Sequence, residues 1–402
     1  MKIGGVITEF NPFHNGHAAL CAGAQAGGVT HLIAVMSGNF VQRGGLSITD
    51  KRVRAACALA CGVDLVIELP LPWAMSGAQT FARGGVGLLA ACGCVEVLTF
   101  GSESGELEPL KALAAEIDCP AVEERLRELL PTGLTYAKAR ELAAREVLGD
   151  KLAGRLSSPN DLLGIEYLRA AREVGWQPEV SLIKRLGVGH NDGRPNGEYA
   201  SASYLRSVAD QGLAALEEFI PAVCLELLEK AESQGLYPAK QSALEVAILA
   251  HLRRLSREDL ARLPDLSEGL ENRLYGAIRT ATTIDELATA VKTKRYTLAR
   301  VRRLIFSAFL GIEKEHTRGA PPYLRVIGLN ERGDEILARM KKTATLPVSS
   351  SLARLSDASP RAGKIAALEE RATDLYGFAL PDPLPCGYEK TARVAAPRRM
   401  AK

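Results

Sequence analysis

The chain has 402 residues, with 50 Lys and Arg against 47 Asp and Glu, and is 47% apolar, 24% charged and 5% aromatic. That length corresponds to roughly two or three domains, and the composition is that of a globular protein able to bury a sizeable core. A disordered chain, a collagen and a coiled-coil rod are excluded. The eight cysteines are scattered, lack the C-x₂-C spacing of a zinc site and read as buried free thiols. No signal peptide is evident, because Lys2 is followed by a short apolar run that ends at Thr8-Glu9. The longest apolar stretch, from Val86 to Thr99, is broken by Glu96 and is too short to span a bilayer. A reduced, cytoplasmic protein with no membrane contact is expected.

Along the first 210 residues, short apolar runs bounded by Gly or Pro predict strands at Ile3–Ile7, His31–Met36, Val63–Leu69, Val95–Phe100 and Val180–Ile183. Helix-length segments near 16–27, 50–61 and 76–92 separate the first four. This β-α-β-α rhythm predicts a doubly wound parallel sheet. Two further helices, 135–148 with Thr135 as cap and 160–174 entered through Ser157-Ser158-Pro159, form a long insertion before the last strand. Beyond about residue 212, helical spacing dominates, as in Leu244/Ile248/Leu252/Leu255 and Leu298/Val301/Ile305/Phe309. The expected fold is α/β: a Rossmann-like domain over 1–210, followed by a mainly helical domain over 211–402. The first part carries 20 Lys and Arg against 23 acids and the second 30 against 24, so the basic excess lies in the second.

The densest chemistry is Thr8-Glu9-Phe10-Asn11-Pro12-Phe13-His14-Asn15-Gly16-His17, between the first strand and the first helix. In an open α/β sheet ligands bind at the carboxyl ends of strands, and a helix start offers free N–H groups and partial positive charge to an anion. Two imidazoles three residues apart, with Gly16 keeping a side chain out of the way, suit a phosphate. A zinc site lacks a nearby third ligand, and the pattern is neither a Walker loop nor G-x-G-x-x-G. A second segment, Glu198 to Arg206, follows the last strand and a Gly/Asn/Asp-rich loop over Gly187–Gly197. Its Ser201, Ser203 and Arg206 offer hydroxyls and a cation to the same oxyanion cluster, completing a clamp for a triphosphate. The stretch Lys292 to Arg303 holds six cations and no acid, and a cap at Thr297 would turn Arg300 and Arg303 away from an apolar face. Ser37–Gly44, after the second strand, is a polar loop at the same sheet edge.

His14-Asn15-Gly16-His17 resembles the H-x-G-H signature of nucleotidyltransferases, and Ser201-Ala202-Ser203 with Arg206 resembles their S-S-T-x-x-R motif. Together with GVITEFNPFHNGH, VMSGNFVQRG, DLVIELP, FGSE, SPNDLLGIEYL, IKR and TKRYTLARVRR, spread from the start to about residue 311, the chain is similar to the bacterial tRNA(Met) cytidine acetate ligase family. Phe10 stands where a Tyr is equally expected, and nothing from Leu346 onward matches. The resemblance implies activation of acetate by ATP as acetyl-adenylate, then acetyl transfer to N4 of the wobble cytidine of elongator tRNA(Met), giving N4-acetylcytidine. It implies an ATP site on Ile7, Thr8, Glu9, Phe10, Asn11, Pro12, Phe13, His14, Asn15, Gly16, His17, Ala18, Ala19 and Leu20, with Gly101, Asn160 and Arg185. Catalytic roles would fall to His14, His17, Ser203 and Arg206, aided by Mg²⁺ carried as Mg·ATP, with no protein metal site. Lys294, Arg295, Arg300 and Arg303 would contact tRNA, and the 37–44 loop would help to hold the cytidine or acyl group. Two rivals are an adenylating enzyme that makes a small molecule and an RNA-binding protein with a vestigial nucleotide site; the intact His14, Gly16, His17, Ser203 and Arg206 argue against the second.

Overall fold

The computed structural model of the chain describes residues 1–185, 195–266 and 269–396. Most of the Gly/Asn/Asp-rich loop, 187–194, and the end of the tail, 397–402, lie outside the described residues. Five parallel strands appear where apolar runs predicted them: β1 (Ile3–Thr8), β2 (His31–Ser37), β3 (Leu65–Leu69), β4 (Val97–Ser102) and β5 (Glu179–Lys184). Helices α1 (Asn15–Ala26), α2 (Lys51–Ala60) and α3 (Ala78–Ala91) connect the first four. The insertion contains α4 (Tyr136–Leu148), whose cap Thr135 accepts from Lys138 N–H, and α5 (Pro159–Glu173).

Residue alternation sorts the strand side chains onto two buried faces. Ile33, Val35, Leu65, Ile67 and Leu98 point into one core with Phe81, Val86 and Leu89 of α3. Val6, Leu32, Ala34, Met36 and Val66 point into the other with Cys21 and Ala24 of α1 and Ala55, Ala58 and Leu59 of α2. β1 reads Ile-Gly-Gly-Val because both of its faces are closely packed: a Cβ on Gly5 would stand 2.6 Å from a Leu89 methyl carbon of α3, and one on Gly4 2.8 Å from a Val29 methyl carbon.

The second half is mainly helical, as expected, and adds strand at one place. β6 (Leu324–Leu329) runs antiparallel beside β3, and β7 (Val348–Ser349) pairs with β6, so the sheet order is β5-β4-β1-β2-β3-β6-β7. Leu-Arg-Val-Ile-Gly-Leu is a β-type apolar run between Pro322 and Asn330, a signal hidden by the helical periodicity on either side. The change in composition near residue 210 therefore marks a rise in helix content, while the sheet takes strands from both parts. The expected helical faces are present: Leu244, Ile248, Leu252, Val301, Ile305 and Phe309 are buried, the last three on α7 (Leu298–Leu310). Of the thiols, Cys21, Cys57, Cys92, Cys94 and Cys224 are buried, Cys61 and Cys119 are partly covered, and Cys386 is exposed, a departure from uniform burial.

The C-terminal segments join the sheet through buried charge. Lys51, the first residue of α2, places Nζ 2.5 Å from Glu68 of β3, 2.7 Å from Glu389 and 3.9 Å from Glu369. Glu369 lies on α8 (Pro360–Gly377) and Glu389 on α9 (Tyr388–Thr391). Arg325 of β6 bonds Glu68 at 2.8 Å and also contacts Glu389. Burial and the neighbouring Glu68 push the Glu369 carboxyl up to about 8, against the pull of Lys51. Burial raises Glu389 too, but Lys51, Arg325 and Arg52 outweigh it and hold that carboxyl well below the usual range.

A carboxyl whose folded value exceeds its unfolded one binds its proton more tightly in the native chain. The stability contributed by Glu369 is thus complete below its ordinary value of 4.5 and is lost as pH rises to about 8. Glu369→Gln should keep its amide neutral throughout, so the melting-temperature advantage of the parent over this variant should shrink steadily from pH 5 to pH 8.5. Thermal melts across that range check it, and a difference independent of pH would refute it.

Candidate functional site

The loop from β1 to α1 is held by its own side chains. His14 caps α1: its Nδ1 accepts from Gly16 N–H at 3.1 Å, while His17 Nδ1 accepts from His14 N–H at 3.3 Å. An N–H pointing at Nδ1 requires a lone pair there, so both rings carry their proton on Nε2. The rings stack with centroids 3.7 Å apart, and a Cβ on Gly16 would stand 2.9 Å from His14 Cε1. Gly16 thus makes room for the His14 ring itself. Phe10 and Phe13 lie behind His17 at 5.0 and 5.5 Å between centroids. Phe10 sits at φ +47°, in the left-handed region, which costs on the order of 1–3 kcal/mol and persists only where surrounding packing demands it; its ring is fully buried.

Burial, together with the charges of Arg185 and Arg206, brings His14 down to about 3. Burial, then His14 and Arg185, holds His17 well below its ordinary value. At neutral pH both rings are therefore uncharged donors with cations beside them. Each would gain a proton more readily once a polyanion offset those cations.

The second segment closes on the first. Ser201 caps α6 (Ala202–Val208) by accepting from Tyr204 N–H at 3.2 Å, and Ser203 Oγ stands 3.0 Å from Ser201 Oγ. Arg206 Nη1 donates to the Asn11 carbonyl at 2.7 Å, and Asn15 Nδ2 donates to the carbonyls of Glu198 and Glu218 at 3.0 and 3.1 Å. The end of β4 is tied to the start of α5: Glu103 accepts from Asn160 N–H and Asp161 N–H, and Asp161 accepts from Glu103 N–H at 3.1 Å and from Ser102 Oγ. Asn160 Oδ1 receives Arg185 Nη1 at 3.3 Å. A Cβ on Gly101 would meet Arg185 Cγ at 3.4 Å, an ordinary contact, so protein packing alone does not demand glycine there. Ile7, Ala18, Ala19 and Leu20 flank the loop on β1 and α1, half-buried, whereas Thr8, Asn11 and Pro12 are buried.

The bonds that organise this site, and Arg54, Asn39, Glu103 and Asp161 among the residues that make them, escaped sequence reasoning. Arg54 of α2 is buried and donates to the carbonyls of Glu9, at 2.5 Å, and Gly38, clamping the exits of β1 and β2 together. Asn11 Oδ1 accepts from Ile48 N–H and Asn39 Oδ1 from Lys51 N–H, both at 2.8 Å. Glu9 accepts from Gln42 N–H at 2.8 Å, which docks the 37–44 loop against the histidine loop. Glu103 and Asp161 belong to the same class. Only the acidic residues at the start of α5 gave any local hint, because these bonds join positions at least 12 apart, and all but those from Arg54 to Gly38 and from Lys51 to Asn39 span 33 or more.

The basic stretch lies elsewhere. Thr297 does cap α7, accepting from Arg300 N–H, and Val301, Ile305 and Ala308 are buried as the spacing predicted. Lys294 is exposed, while Arg295 and Arg300 are half-buried. Arg303 reaches inward, donating to the Gln42 carbonyl at 3.3 Å. Among the described residues no group of three or more His, Cys, Asp and Glu could hold a metal ion.

A family model described as HIGH Nucleotidyl Transferase matches residues 1–388. The tRNA(Met) cytidine acetate ligase of Caldanaerobacter subterraneus subsp. tengcongensis is 38% identical over 361 residues, covering 88% of this chain and 90% of that protein. The enzyme of the same name from Thermoanaerobacter sp. is 37% identical over 386 residues, covering 94% and 96%. The chain belongs to the tRNA(Met) cytidine acetate ligase family. The fold agrees throughout: the crystal structure of Thermotoga maritima TmcAL, 30% identical, superposes with a TM-score of 0.94 over 99% of this chain and 100% of that one. A second form of that enzyme, bound with alpha-thio ATP, superposes with a TM-score of 0.92 at 29% identity.

Within this ligase family scaffold, the Arg54 clamp should be needed for the loops to hold their geometry. Arg54→Met removes charge-assisted bonds to two buried carbonyls, each worth about 1.5–3 kcal/mol. Urea unfolding should show a loss of about 2–5 kcal/mol with an unchanged m-value.

Proposed function

We infer that this chain activates acetate with ATP as acetyl-adenylate and transfers the acetyl group to N4 of the wobble cytidine of elongator tRNA(Met), forming N4-acetylcytidine. The observation that carries this reading is the convergence of two Nε2–H imidazoles, Arg185 and Arg206 on one loop at the strand ends, in a chain whose relatives bear that name. Ile7 to Leu20, Gly101, Asn160 and Arg185 would bind the nucleotide, with a base or ribose lying over Gly101 where no side chain intervenes.

Acetate is an anion at neutral pH and attacks the α-phosphorus directly, so no general base is required. The oxygen–phosphorus bond to pyrophosphate breaks as the mixed anhydride forms. His14, His17, Ser203 and Arg206 would donate to the oxygens on which charge accumulates, and their fixed positions make that stabilisation available without reorganisation. Mg²⁺ would enter with ATP as Mg·ATP and neutralise part of the phosphate charge. In the second step the cytidine amine attacks the acetyl carbonyl and AMP departs. The division into a nucleotide-activating part over 1–210 and a basic, tRNA-docking part over 211–402 is likewise proposed, with Lys294, Arg295, Arg300 and Arg303 toward the phosphates. A cytoplasmic location follows from ATP and tRNA as substrates; among the described residues no helix is long and apolar enough to cross a membrane.

Incubating the protein with Mg·ATP, labelled acetate and tRNA should yield AMP, pyrophosphate and N4-acetylcytidine, and ADP with phosphate would refute the α-attack. His14→Ala or His17→Ala should lower acetate-dependent ATP–pyrophosphate exchange on the order of 100- to 1,000-fold, with the fold retained by circular dichroism. Arg300→Glu should instead strike the transfer step: tRNA binding weakens, and the slope of log affinity against log salt flattens by up to about one unit for the lost phosphate contact.

A further inference from the structure

Away from the histidine loop, the described residues line a concavity of about 500 Å³, within the usual span of ligand pockets. No residue of the histidine loop lines it. Three helix starts meet there: Ala78–Thr80 of α3, Tyr136 and Ala137 of α4, and the α7 cap Thr297. Helix α3 has no side-chain cap, so its first-turn N–H groups have no hydroxyl or carboxylate supplied by Gly77. Leu130, Leu134, Leu156 and Leu162 give the cavity an apolar wall.

Its charges are arranged unevenly. Arg140, Arg295, Arg300 and Arg303 face three acids, Glu141, Glu166 and Asp265. Glu166 is already paired with Arg140 at 2.6 Å and with Arg169, and Glu141 with Lys138 and Arg145 at 3.0 Å each. Arg140 is nine-tenths buried, yet its Nη2 has no hydrogen-bond partner, its nearest acid, Asp118, standing 3.7 Å away. Arg303 Nε is likewise unbonded, 3.6 Å from Asp265. Tyr136, half-exposed, belongs to the same lining.

The cavity also adjoins the catalytic loops. Arg303, part of its wall, donates to Gln42, which donates to Glu9. Gly44, at φ +74°, rests directly on α7, where a Cβ would stand 2.4 Å from Arg303 N. The 37–44 loop is therefore the partition between the two sites.

We propose that this cavity receives an unstacked nucleotide of the RNA substrate next to the acceptor cytidine, with Tyr136 against its base and Arg300 and Arg303 toward its phosphate. The proposal rests on the tRNA reading above. Single-stranded RNA is recognised by splayed bases stacked on aromatic or guanidinium planes, with cations at the backbone. An apolar wall, an aromatic ring and a surplus of arginines continuous with the basic stretch supply each of those parts.

The test compares tRNA binding and KM for parent, Tyr136→Ala and Ala137→Trp, on an unmodified transcript and on two transcripts with an abasic residue at either side of the acceptor cytidine. Loss of one stacking platform should weaken the unmodified transcript about 5- to 100-fold. On one of the abasic transcripts Tyr136→Ala and parent should become equal, a coincidence that a merely structural role would not produce. Ala137→Trp, at an exposed position, should block the cavity and reproduce the loss with the melting temperature retained. If the parent acetylates tRNA and both variants match it, this proposal falls alone. If the variants raise KM for ATP or acetate and not for tRNA, the cavity belongs to a small molecule and the proposal also falls. A parent that neither binds nor acetylates tRNA overturns both readings together.

Discussion

The buried ammonium of Lys51 is the point on which the molecule is assembled. It lies at the first residue of α2, among carboxylates from a strand near residue 68 and from helices beyond residue 360. Removing one member of such a cluster leaves uncompensated charge out of water, which typically costs about 3–5 kcal/mol. Apolar contacts would hold the C-terminal helices against the sheet in many registers, whereas this set of partners is satisfied in one. Glu369 responds to its surroundings by holding a proton to higher pH, which reduces the number of like charges in the group.

The same helix carries Arg54 one turn further on. Its position is inherited from Lys51, and it in turn fixes the exits of β1 and β2 through their carbonyls. The active geometry therefore depends on a chain of constraints that begins far from any histidine. A strained Phe10, a bonded Asn11 and the His14 cap follow because the loop has so few ways left to run. Neutral, buried imidazoles beside two arginines form a poised arrangement, in which the missing partner is an anion. Under the proposed function, donors already oriented in this way would stabilise charge that builds up on an anion.

The junction between the two halves is equally specific. Glu9, Gln42 and Arg303 connect the histidine loop to the basic helix through two hydrogen bonds, 2.8 and 3.3 Å long. Under the proposed function an acyl-adenylate must be kept from water until the amine arrives, and this short polar link would be a physical means of aligning the histidine loop with the basic helix.

Local signals in the sequence were enough to place the five parallel strands and the helices near 16–27, 50–61, 76–92, 135–148 and 160–174, the caps at Thr135 and Thr297, and the pairing of His14 with His17, but not the helices over 107–116 and 120–129 or the short hairpin over 40–46. Each feature so placed depends on residues within a few positions of one another, so periodicity and capping chemistry expose it. The β6 strand was visible in principle as an apolar run but was masked by its helical neighbours. The clamp by Arg54, the Glu103–Asn160 crossing, the Lys51 cluster and the meeting of Tyr136 and Arg303 in the lining of one cavity were decided by tertiary structure alone. Their partners are separated by tens to hundreds of residues, and nothing in the spacing of a charged residue announces which distant carbonyl or carboxylate it will meet.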